Sequence, residues 1–331
     1  MTIHLGFGPD PQRARAIDRR MHLELAASLE YLQDRLMSCT EPVPGLDPAR
    51  LDAPLARIRC GARLAPLSFI AYYDFATALV NGNPAAARES LDRLEQAQPA
   101  PPGRVHRPLR EPQACARSAR YADLFGGPSP GDIRLKPLPA DRAGAFAARF
   151  ERGMALMHAS FPELAGEVDA IVHEVVAIAS DPGTSMQMDG ASHYRLWGAL
   201  FLNADFHPTD VAMMEVIAHE SAHSLLFGLC TQETLVDNDD AAVFSSPLRV
   251  DPRPMDGIYH ATFVSARMHL AMARLLASGL LDDPGRAAAR AAMETDRLHF
   301  EAGDSVIQRY AMLTPLGREL MDGARRYMAD A

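Results

Sequence analysis

His219 and His223 stand four residues apart in His219-Glu220-Ser221-Ala222-His223, an HExxH motif. On a helix, residues at this spacing point the same way, one turn apart. Two imidazoles so placed can give ring nitrogens to one ion at ~2.0–2.1 Å. Glu220 falls on the neighbouring face, where it can orient a metal-bound water or act as a base. Glu215 lies one turn before His219 on the ligand side, where it can accept an imidazole N–H. The plainer alternative is a pair of hydrogen-bonded core histidines.

Two histidines make half a site. A metzincin would carry a third histidine in an HExxHxxGxxH continuation, but Phe227, Gly228 and Leu229 stand at the end of that stretch and exclude the subclass. Glu233 lies close to the end of the same helix, and Glu294 and Glu301 are distant candidates. His260 and His269 are the other choices, and His260 comes nearest the proline-rich loop over residues 245–254. For His260 the plainer reading is a packed or solvated side chain.

These side chains need a rigid frame. Over residues 207–230, Thr209 or Asp210 can cap a helix, and Val211, Met214, Ile217, Leu225, Leu226 and Leu229 give it apolar faces. Apolar residues at three- and four-residue spacing predict helices over 12–38, 64–80, 84–97 and 141–170. Ile171–Ala179 and Leu196–Leu202 read as short strands, with Asp181, Pro182 and Gly183 turning the chain between them. Prolines over 98–112 read as a linker or extended loop, and a second loop covers 126–139. The fold expected is α+β, predominantly α-helical, with a small β-sheet beside the HExxH helix. The loops divide it into an N-terminal helical region, 1–140, and a metal-binding region, 141–331.

Arg104, Arg107, Arg110, Arg117 and Arg120 cluster in and after the first loop. They read as a solvated basic face, with a site for a carboxylate or acidic peptide as the sharper alternative. Trp197 sits in an apolar run, as core or as pocket wall, and His193, Tyr194 and His207 are candidates for the substrate side. A net charge of −9 gives no electrostatic reason to seek nucleic acid or anionic lipid. The four cysteines, Cys39, Cys60, Cys115 and Cys230, form no CxxC pair and read as reduced thiols. With no apolar signal core at the N-terminus and no run of ~18 apolar residues, the cytoplasm is the expected compartment.

The HESAH helix followed by SSPLRVDPRPMDGIYHATFVSARM resembles the α-ketoglutarate-dependent HExxH-type peptide β-hydroxylases, a family of peptide-modification proteins. The matching positions are Ser246, Pro247, Arg249, Arg253, Pro254, Gly257 and His260, with Gly183–Met186 and Leu196–Asn203 upstream and Leu313–Gly317 downstream. The resemblance covers roughly residues 145–325. Leu248 stands where the pattern has an aromatic residue.

The resemblance implies Fe(II), 2-oxoglutarate and O2, and hydroxylation at an unactivated carbon of a peptide or amino-acid residue. Its typical substrates are precursor peptides of ribosomal natural products. It implies His219, His223 and His260 as neutral metal donors. Arg253 and Arg249 would meet the far carboxylate of 2-oxoglutarate, a contact that suits a planar guanidinium. Glu220 becomes a positioning group, and Ser246 joins Glu215 and Trp197 as a candidate around metal or substrate. Two other classes compete. One is a zinc metallopeptidase using Glu220 as base, and the other is a non-catalytic metal-binding protein.

Overall fold

Asp10 opens the first helix, α1 (Pro11–Met37): its carboxylate accepts from the Gln12 and Arg13 amides, and Pro11 occupies the first turn, where a missing N–H costs nothing. The computed structural model describes residues 6–39, 43–125, 135–181, 188–246 and 252–331. It is 66% helix and 9% strand, the α+β, predominantly helical fold expected.

After α1 come α2 (Asp52–Arg59), α3 (Leu67–Val80) and α4 (Pro84–Glu95), then strand β1 (Val105–Pro108) and α5 (Ala116–Phe125). The stretch read as a linker thus holds a strand. It can do so because β1 lies at a sheet edge, where Pro108 deprives no inner ladder of a donor. Next are β2 (Lys136–Pro137), α6 (Ala140–Ser160) and α7 (Pro162–Ile171). The single helix expected over 141–170 breaks at Phe161, which is extended at φ −150° and ψ 71° because Pro162 follows it.

Strands β3 (Glu174–Ala179), β4 (Gly190–Ser192) and β5 (Ala199–Asn203) complete the main sheet, in the order β1-β3-β5-β4, with β2 also pairing β3. β1, β3 and β5 run parallel, whereas β4 is antiparallel to β5 and β2 to β3. The HExxH helix is α8 (Asp210–Leu229), capped by Thr209, whose hydroxyl accepts from the Ala212 amide. A short β6 (Val243–Phe244) and β7 (Arg253–Pro254) hairpin leads to α9 (Met255–Ala277), α10 (Asp283–Tyr310) and α11 (Pro315–Asp330).

The two regions divided by the loops share a sheet and a core. β1 and β2 pair with β3, and Ile17 and Leu25 of α1 belong to the same buried cluster as Ile217 and Leu225 of α8. Arg13 of α1 and Arg267 of α9 both bind Glu167 of α7, and all three are buried. Among the described residues, no helix is long and apolar enough to cross a membrane.

Candidate metal centre

α8 turns one side toward β4, another toward α9, and buries most of its length. This is why its hydrophobic residues occupy nearly every face: the helix is enclosed, and its imidazoles, its carboxylates and the buried Ser221 and Ser224 break the apolar pattern. His219 Nε2 and His223 Nε2 face each other at 3.2 Å. Two nitrogens each ~2.1 Å from one tetrahedral ion would stand ~3.4 Å apart, so this pair has the separation of two ligands to a shared ion. Glu220 Oε1 lies 3.9 Å from the same His219 Nε2.

His260, on α9, joins the cluster through the opposite edge of His223: the two Nδ1 atoms are 3.1 Å apart and the rings stack at 5.4 Å. His260 therefore holds His223 with Nε2 turned toward His219. As the rings stand, His223 meets its two partners with different nitrogens. Among the described residues no group of three or more His, Cys, Asp or Glu side chains is placed to hold a metal ion.

The donor chemistry nonetheless fits a metal. Burial pushes His219 down to about 4, with the nearby His207 and His299 adding to the effect. It pushes His223 well below its ordinary value, helped by His219 and His260, and it lowers His260 despite the opposing Asp256 carboxylate. Three neutral imidazoles carry three nitrogen lone pairs, one of which accepts the His223–His260 hydrogen bond as the rings stand. Burial raises Glu220 to about 8, against the Ser192 hydroxyl that donates to its Oε2 at 3.1 Å and with the Asp189 charge adding to the rise.

The remaining candidates are scattered. Glu215 is raised by burial, and His219 Nδ1, the ring nitrogen turned away from His223, stands 3.1 Å from Met268 Sδ. Trp197 is core: it is 2% exposed and donates its indole N–H to Asp18 at 2.9 Å. Arg253 and Ser246 flank the loop that enters α9, Arg253 in β7. Arg249, Pro247, Leu248 and Gly183–Met186 lie outside the described residues. Glu233 accepts from the Leu316 amide, and His269 Nδ1 lies 2.7 Å from the Tyr327 hydroxyl, so neither joins the imidazole cluster. Four of the five clustered arginines are engaged at home: Arg104 binds Asp169, Arg107 and Arg117 bind Glu174, and Arg120 binds Asp74.

Sequence reasoning missed Ser192, Met268, Asp296 and His299. Ser192 sits in a three-residue strand with no periodic signal. Asp296 and His299 are one turn apart on α10, a helical spacing that would have flagged them only if α10 had been known to cross α8. The chain matches no protein-family model and no curated protein.

Proposed function

We propose that this protein is an Fe(II)/2-oxoglutarate-dependent oxygenase that hydroxylates an unactivated β carbon of a peptide or amino-acid residue, in the maturation of a ribosomally made precursor peptide. The observation that supports this reading is the contact of His260, on the helix entered from the Arg253 loop, with His223 of the HExxH pair. That loop and that histidine are the parts of the sequence pattern that distinguish the hydroxylase resemblance from HExxH alone. His219 and His223 would hold the ion, and His260 would have to turn away from His223 Nδ1 to join them as the third imidazole. The bound iron would supply O2 activation coupled to decarboxylation of 2-oxoglutarate. Arg253 would pair with the far carboxylate of that cosubstrate. Glu220, fixed by Ser192, would orient the molecule that sits against His219.

A second reading, zinc-dependent peptide hydrolysis, is favoured by one feature: Glu220 Oε1 lies 3.9 Å from His219 Nε2, beside the nitrogen that would bind the ion and its water. Metal-free protein given Fe(II), 2-oxoglutarate and O2 separates the two. The oxygenase reading expects succinate, falling to background in His223→Ala. Tight zinc binding with peptide hydrolysis that Glu220→Gln abolishes, and no succinate, would replace it with the hydrolase.

A further inference from the structure

His207 is the only non-glycine residue with a left-handed backbone among the described residues, at φ 57°. Pro208 follows it, and a residue before proline is restricted further. A turn alone would be served more cheaply by glycine or asparagine. The imidazole of His207 is placed by this conformation so that Nε2 lies 3.3 Å from the Asp189 carbonyl. A carbonyl only accepts, so Nε2 carries the proton.

Asp189 is the residue before β4. Its carbonyl also accepts from the Asn203 amide at 2.9 Å, and β4 then pairs with β5 from Gly190 opposite Leu202 to Ser192 opposite Leu200. β4 is the wall against which Glu220 rests. A Cβ on Gly190 would stand 2.8 Å from Glu220 Oε1 and 3.0 Å from its Cγ, and Ser192 donates to Oε2 at 3.1 Å. Any shift of the start of β4 is therefore a shift of the surface that sets the Glu220 carboxylate.

We infer that His207 is a positioning residue for Glu220, holding β4 in place through the Asp189 carbonyl. The strained backbone is kept because it delivers the ring to that carbonyl. The inference rests on the reading of Glu220 as the working carboxylate of this site.

The test is made on the full metal-free chain labelled with ¹³C at glutamate carboxyls, with Glu220→Gln identifying the Glu220 signal. In His207→Gly, which relaxes the backbone and removes the ring, the Glu220 signal moves by more than a linewidth while other glutamate signals stay. In His207→Gln, whose amide nitrogen can replace Nε2 as donor, the signal returns toward its parent position. The unfolding temperature of His207→Gly stays level or rises. An unmoved Glu220 signal overturns the inference, as does a general movement of glutamate signals with a lowered unfolding temperature. Because the signal is read without metal, failure here and failure of the oxygenase reading are separate results.

Discussion

At the residue scale, the HExxH spacing was legible because helical geometry leaves it little freedom: once α8 forms, His219 and His223 must meet. The nitrogen that His260 offers was not legible, since it depends on how α9 is rotated against α8. The same limit hid Asp296. This carboxyl is 1% exposed, its Oδ2 has no hydrogen-bond partner, and burial followed by the nearby Glu215 charge raises it from 3.8 to about 8. An acid whose folded value is raised favours the fold when protonated. Its contribution is full below about pH 4 and is lost as pH rises toward about 8. Asp296→Asn should remove that loss, so the variant gains on the parent as pH rises through this window, at up to about 1.4 kcal/mol per pH unit. Urea denaturation at pH 5, 6.5 and 8 measures it. A stability difference that does not change with pH contradicts the assignment.

At the element scale, α1, α3, α4 and α8 were readable because long periodic stretches with caps leave few alternatives. β1 and β4 were not. Both owe their existence to pairing with β3 and β5, far along the chain, and neither carries an alternating pattern. Gly228 illustrates packing that overrides local preference. Glycine inside a helix costs about 1 kcal/mol relative to alanine. Yet a Cβ at Gly228 would lie 2.7 Å from Trp197 Cη2 and still closer to Ile17. Overpacking of this kind costs about 1–3 kcal/mol and exceeds the propensity gain. Gly228→Ala is therefore expected to lower stability in urea denaturation, and a variant more stable than the parent would show that α1 and Trp197 can yield.

At the scale of the whole molecule, the loops suggested two regions, and sequence alone had no means of seeing the contacts that join them. The buried Arg13–Glu167–Arg267 group connects α1, α7 and α9, with Arg13 Nη2 at 3.1 Å from Glu167. Glu167→Gln leaves two buried guanidinium groups without a countercharge, and breaking such a group costs about 3–5 kcal/mol. The parent is expected to unfold in one transition followed by fluorescence of Trp197 and by circular dichroism alike, because the indole lies in the core that both regions share. Separate midpoints for the two probes would mean that the N-terminal helices unfold on their own.

The proposed function requires the imidazole cluster to hold Fe(II) together with 2-oxoglutarate. The most direct measurement is the visible spectrum of metal-free protein titrated with Fe(II) and then 2-oxoglutarate in the absence of oxygen. Chelation of Fe(II) by the keto acid is expected to give a weak charge-transfer band that His219→Ala abolishes. No band in a protein that takes up zinc tightly would contradict the oxygenase account.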